Sequence, residues 1–281
     1  MPRCSAYREI YAPGSTFKVV TTKSALELGI ATPDRFFDFS NGFEIPGTST
    51  ILRNFGGGNC GGTLTESLTV SCNATFAQLG YEMGPAFVPQ MDQCGVHSAI
   101  PIDLDPKSAV SQGPTASSDK ARFALAGIGQ GDVAVTPLQM AVVAAAVANG
   151  GTIMEPHVVQ EIQDSEGKTI QTFEPRAWQT CMSPQTAAAV NLMMQSVVRE
   201  GSGTAAQIDG VTVAGKTGTA QVEGKLPTVW FIAFAPADNP QYAVAVVVPN
   251  GGSNNDPEVT GGAIAAPIAK QVLLNLLGRT G

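Results

Sequence analysis

Ser15 and Lys18 stand three residues apart, directly after the turn signal Pro13-Gly14. A hydroxyl is a weak nucleophile near neutral pH and needs a base within hydrogen-bond reach. Residues three apart on a helix share a face, so Lys18 is expected one turn above Ser15. A lysine acts as a base only when neutral, a state favoured by burial and by a second nearby cation. The start of a helix also carries unsatisfied N–H groups that favour a developing oxyanion. This pair predicts serine acyl transfer with a lysine base. The chain has two histidines, His97 and His157, and neither sits in a recognisable catalytic context. Both read as ordinary loop or core residues.

An S-x-x-K match alone is weak. With 17 serines and 8 lysines, about half a match is expected by chance. Three occur, the others being Ser117–Lys120 in a polar loop and Ser165–Lys168 in a turn, neither read as starting a helix. Order discriminates between them. Only Ser15 is followed first by S-x-N, at Ser71-Cys72-Asn73, and then by the single K-T-G, at Lys216-Thr217-Gly218. Another S-x-N, Ser253–Asn255, follows the K-T-G and reads as a loop. Each element has a task. Lys216 is the second cation that depresses the pKa of Lys18, and through Ser71 it relays a proton to a leaving amine. Asn73 donates to and accepts from a substrate amide without adding charge. Gly218 is expected to let a ligand backbone approach the strand. Thr217 and Thr219 offer hydroxyls to a terminal carboxylate. The backbone N–H groups of Ser15 and Thr219 form the expected oxyanion hole.

The elements that must position these residues are legible in outline. A helix is predicted from Ser15 to Leu28, ended by Gly29. Residues 31–62 read as loops with short strands. Thr65–Leu79 reads as a helix in two pieces around Ser71, and 103–120 as a turn-rich loop. Val135–Ala148 is a buried helix closed by Asn149-Gly150-Gly151. His157–Phe173 reads as a hairpin around 164–167. Pro184–Arg199 is an amphipathic helix. Strands follow at 211–221, 228–235 and 242–248, and a closing helix at Gly262–Leu277. Late antiparallel strands between helices predict an α+β or α/β layered fold.

Composition limits the partners. The 281 residues carry a net charge of −7 and only 14% charged residues. Nucleic acid is thereby an unexpected partner, and disorder of the whole chain is excluded. No stretch reads as a membrane span, since the apolar run Val133–Ala148 is interrupted by Thr136, Pro137 and Gln139. No signal-peptide pattern is read at the N-terminus. Five cysteines, Cys4, Cys60, Cys72, Cys94 and Cys181, form no C-x-x-C pair. No metal site or cofactor is expected from them, and the odd number leaves at least one thiol unpaired within the chain.

The ordered triple S-x-x-K, S-x-N and K-T-G resembles that of penicillin-binding proteins and serine β-lactamases, here with Cys72 at the middle position. From about Arg8 onward the chain resembles the transpeptidase domain of class B penicillin-binding proteins, in particular the actinobacterial penicillin-binding protein A group. YAPGSTFK, SCNATFAQLG, AGKTGTAQ, WFIAFAPA and GGAIAAPIAK carry the likeness. So do Gly129-Gln130-Gly131 and the run Val135-Thr136-Pro137-Leu138-Gln139-Met140-Ala141. The resemblance implies the penicillin-binding/β-lactamase-like transpeptidase fold, an antiparallel sheet flanked by helices. It implies D,D-transpeptidase activity on peptidoglycan stem peptides, acylation by β-lactams, and a site outside the cytoplasmic membrane. Cell-wall synthesis or division proteins are implied as partners. The family carries a membrane anchor, a pedestal domain and two strands ahead of the S-x-x-K helix. Residues 1–281 are therefore expected to be a transpeptidase domain shortened at its N-terminus, with two sheet strands missing and reduced stability.

The same resemblance implies a disulfide between Cys60 and Cys72, with two buried free thiols as the alternative. Two other functions stay open at this point. S-T-F-K also occurs in class D β-lactamases, although no glutamate in a recognisable loop stands ready to activate a deacylating water. A non-catalytic β-lactam sensor or pseudoenzyme is the other.

Overall fold

The computed structural model describes residues 4–105, 107–221, 226–251 and 259–279. Its helices are α1 (Ser5–Arg8), α2 (Lys18–Glu27), α3 (Leu64–Thr69), α4 (Asn73–Met83), α5 (Phe87–Asp92), α6 (Lys120–Gly127), α7 (Pro137–Ala148), α8 (Pro184–Glu200) and α9 (Ala265–Leu276). Its strands are β1 (Phe36–Ser40), β2 (Gly42–Glu44), β3 (Ile51–Arg53), β4 (Cys60–Thr63), β5 (Thr152–Met154), β6 (Glu161–Gln163), β7 (Thr169–Thr172), β8 (Ala177–Thr180), β9 (Ala214–Ala220), β10 (Thr228–Ala235) and β11 (Tyr242–Val248).

The main sheet is antiparallel in the order β11-β10-β9. β10 is buried along its whole length, because side chains alternate between two apolar layers. Trp230, Ile232 and Phe234 join the large core that also holds buried residues of α2, α4, α7 and α8. Phe231, Ala233 and Ala235 join a smaller core beneath α9, with Ala265, Ala266, Ala269 and Leu273. This is the helix–sheet–helix layering that the sequence predicts. Among the described residues β11 pairs only with β10. The remaining strands form two-stranded pairs: β1-β4, β2-β3, β5-β8 and β6-β7. Among the described residues no helix is long and apolar enough to cross a membrane.

Local signals set the helix ends. Thr136 caps α7 by accepting from Gln139 N, and Ser183 caps α8 by accepting from Thr186 N. A proline follows each cap, where its missing N–H costs nothing. Thr63 and Glu66 form a capping box at α3. The closing helix begins at Ala265 rather than Gly262. A side chain at Gly262 would meet Ser202 O at 2.4 Å, so this glycine is used for close packing. One reading is corrected. Ser117–Lys120 does lead into a helix, since Lys120 opens α6. Its ammonium lies 4.9 Å over the Tyr81 ring, and Ser117 Oγ bonds Thr115 Oγ1.

Lys23 is wholly buried on α2, and its ammonium donates to Gln90 Oε1 at 2.9 Å and Gln93 Oε1 at 3.1 Å. Desolvation lowers its pKa to about 7, opposed by the charge of Glu27. The unfolded chain therefore binds one more proton than the folded one between about pH 7 and the ordinary lysine value. Stability contributed by this group rises with pH across that window. Lys23→Met should flatten the rise by up to about 1.4 kcal/mol per pH unit. Urea unfolding at pH 7.5 and 9 checks this; an unaltered difference would mean that the amine titrates normally.

Candidate active site

The segment that delivers Ser15 is pinned on three sides. Tyr11 exchanges backbone hydrogen bonds with Val135, Gly14 N donates to Gly129 O at 3.0 Å, and Trp230 Nε1 donates to Ala12 O at 3.0 Å. Gly14 has φ +53°, and a Cβ there would lie 2.6 Å from Thr219 O. At Gly129 a Cβ would lie 2.0 Å from Gly14 O. The G-Q-G run thus serves as a seat for the nucleophile turn. Gly218 needs a corrected reason. Its Cβ direction points at Pro13 O and Thr16, so the missing side chain admits the Ser15 turn, not a ligand backbone. The chain enters a 3₁₀ turn over Gly14–Phe17 before α2 begins at Lys18. Ser15 remains half-buried while Thr16, Phe17 and Lys18 are buried. The Gly14 backbone is thereby packed against that of Thr219, and Ser15 and Thr219 both line the cleft.

Ser71 lies between α3 and α4 with φ +64°, a left-handed conformation rare for a side-chain-bearing residue. This strained turn aims both its carbonyl and its hydroxyl at lysines. Lys18 Nζ lies 2.7 Å from Ser71 O, 3.3 Å from Ser71 Oγ and 2.8 Å from Asn73 Oδ1. Lys216 Nζ lies 2.8 Å from Ser71 Oγ, and it also contacts Thr217 O at 3.2 Å and Thr217 Oγ1 at 3.4 Å. Both lysines are fully buried. Burial first, and then the charge of Lys216, push the pKa of Lys18 well below that of an ordinary lysine. Burial brings Lys216 down to about 7. The hydrogen-bond geometry agrees. A neutral Lys18 donates two hydrogens, to Ser71 O and Asn73 Oδ1, and its lone pair remains for a hydroxyl proton. Ser71 Oγ accepts from Lys216 at 2.8 Å and stands 3.3 Å from Lys18 Nζ, the longest of the three contacts of that amine.

Asn73 also donates to Arg53 O at 2.9 Å. It retains one acceptor position and one N–H for a ligand amide. Thr217 Oγ1 lies 2.6 Å from Ser202 Oγ, and Thr219 Oγ1 accepts from Gly261 N at 3.2 Å. These residues border a cleft of about 670 Å³ lined by Ser15, Ser71, Asn73, Thr217, Gly218 and Thr219, and also by Arg53, Gln130 and Ser202. Among the described residues no side-chain hydrogen bond holds the Ser15 hydroxyl, which faces this cleft.

Every residue that the sequence picked for the chemistry is found in or behind the cleft. The rival motifs are not. Ser117, Lys120, Ser165 and Lys168 do not line it, and Ser253–Asn255 lies outside the described residues. His97 pairs with Asp92 at 2.7 Å, and His157 bonds Val159 O at 3.0 Å; neither borders the cleft. Sequence reasoning missed Asn54. Its Oδ1 accepts from Ala74 N, while its Nδ2 donates to Ser40 O and Gly58 O. It ties the β2–β3 hairpin to the start of α4. Cys60 and Cys72 form a disulfide, as the resemblance implied, and it flanks Ser71 and Asn73 directly. A second disulfide, Cys94–Cys181, was not anticipated. Cys4 is free and exposed.

The penicillin-binding protein transpeptidase domain model matches residues 3–274, and the chain belongs to that family. It is 39% identical over 280 residues to the peptidoglycan D,D-transpeptidase PbpA of Mycolicibacterium smegmatis, covering 95% of this chain and 55% of that protein. It is 34% identical to stage V sporulation protein D of Bacillus subtilis, covering 96% of this chain and 43% of that protein. The crystal structure of PBPA from Mycobacterium tuberculosis superposes with a TM-score of 0.88 at 38% identity, covering 97% of this chain and 62% of that one. A ceftriaxone acyl-enzyme complex of the same tuberculosis protein also matches, at 0.88. The chain spans about half the length of the curated relatives it matches.

Proposed function

We propose that this chain carries the catalytic machinery of a peptidoglycan D,D-transpeptidase, with Ser15 as nucleophile. The observation that carries the reading is the convergence of two buried lysines on the hydroxyl of Ser71, which lines the same cleft as Ser15. Among the described residues no carboxylate neutralises either amine. Such an arrangement keeps one lysine deprotonated at neutral pH.

Lys18 takes the proton of Ser15, whose Oγ attacks the carbonyl between the two D-alanines. The oxyanion lies against the backbone N–H groups of Ser15 and Thr219. Thr217, Thr219 and Lys216 receive the terminal carboxylate, and Asn73 holds the preceding amide. The C–N bond then breaks, and Lys216 supplies the leaving amine with a proton through Ser71. An acceptor amine attacks the Ser15 ester and gives up a proton to Lys216 through Ser71; the C–O bond breaks, the new amide forms, and Lys18 returns its proton to Ser15 Oγ. The two disulfides support an extracytoplasmic setting, where such bonds persist. The likeness to PbpA of Mycolicibacterium smegmatis, a peptidoglycan D,D-transpeptidase, supports the substrate class.

Intact-mass measurement with benzylpenicillin tests the reading. One adduct per chain is expected, mapped to Ser15 and lasting many minutes. A thioester or amide donor ending in D-alanine should release that group faster when an amine acceptor is added. Rapid turnover of the penicillin would favour a β-lactamase instead, and acylation without any transfer would favour a sensor.

A further inference from the structure

We propose that Arg53 makes the cleft selective for acyl donors bearing a carboxylate on the residues that precede the scissile bond. This rests on the reading above, in which the donor's terminal carboxylate lies at Thr217 and Thr219. From that end the donor passes Ser15 and then Asn73. Its earlier residues are thereby led toward the β2–β3 hairpin, whose last residue borders the cleft.

Arg53 is built into this position. Along β3 the exposure alternates, with Ile51 and Arg53 outward and Leu52 packed on the core. The residue paired with Arg53 is Gly42, so no cross-strand side chain covers the guanidinium. The backbone beneath is fixed at both sides: Arg53 O receives the Asn73 amide, and Asn54 anchors the hairpin through three hydrogen bonds. The hairpin and the catalytic asparagine therefore hold a set relation.

The charge pattern says what this arm would bind. Arg35, Arg122, Arg176 and Arg199 each pair with a carboxylate. Among the described residues the Arg53 guanidinium has no such partner. It also carries the only charge among the described residues lining the cleft, in a chain whose net charge is −7. Lys216, when protonated, adds positive potential from behind. An anion is favoured here, and a cationic acceptor amine is disfavoured on this side. The guanidinium fork matches a carboxylate in two-point contact. Ile51, Phe55 and Val70, each between 42% and 56% exposed, give the rim an apolar surface for the aliphatic part of such a residue.

Two penicillins that differ by one carboxylate provide the test: benzylpenicillin and α-carboxybenzylpenicillin. The readout is the ratio of their second-order acylation constants. Arg53→Gln should lower the ratio for the carboxylated compound by about fivefold. Arg53→Glu should lower it further, and Arg53→Lys should restore part of it. Added salt should narrow the wild-type ratio. A ratio unchanged in both Arg53→Gln and Arg53→Glu overturns the proposal, including the case where both constants fall together through a displaced hairpin. If benzylpenicillin fails to label the unaltered chain at all, the nucleophile assignment fails first and Arg53 falls with it.

Discussion

Replacing Lys18 with methionine will lower the rate of acylation by benzylpenicillin by roughly 10²- to 10⁴-fold, the usual worth of a positioned general base. Methionine retains the length and the apolar packing of the stem, so the loss isolates the amine. The pH dependence tests the same claim with a definite sign. Only neutral Lys18 accepts the proton of Ser15, so the wild-type rate should fall as pH drops through its lowered pKa. Lys216 contributes to that lowering by repulsion. Lys216→Met removes the repulsion, so the Lys18 pKa rises and the acid limb of the profile moves to higher pH. Stopped-flow acylation between pH 5 and 10 distinguishes the two variants. An acid limb that stays in place in Lys216→Met would mean that the two amines do not interact.

Local patterning made much of this arrangement readable. β9 to β11 and α8 follow from periodicity and turn chemistry, and the three catalytic motifs follow from their order along the chain. Most of the failures share a cause, which is that contacts distant in sequence leave no local mark. Gly218 read as a ligand-facing glycine because glycine on a strand admits something close. What it admits is the Pro13–Thr16 turn, some 200 residues earlier. Arg53 and Asn54 drew no notice within the loops and short strands read over 31–62, since their importance comes from where the β2–β3 hairpin docks. The left-handed turn at Ser71 was equally hidden, because serine is not a residue that marks positive φ. Ser117–Lys120 was read as loop, although Asp119 is a cap residue and α6 follows at once.

Replacing both Cys94 and Cys181 by alanine will destabilise the fold more than replacing Cys60 and Cys72. The two bridges span 87 and 12 residues. In the chain-entropy model their loops correspond to about 4.5 and about 3 kcal/mol. Cys94 and Cys181 are both wholly buried, and they connect the end of α5 to the residues just before α8. The long loop they close contains α6 and α7, including Gly129, against which the Ser15 turn is seated. Loss of this bridge should therefore lower the midpoint of urea unfolding while leaving the folded fraction able to acylate at low denaturant. The Cys60–Cys72 bridge flanks Ser71 and Asn73, so its removal should reduce the acylation rate of molecules that are still folded. Paired unfolding and acylation measurements on the two double variants separate a bridge that holds the scaffold from one that holds the site. Equal effects of both pairs on stability and on rate would contradict that division.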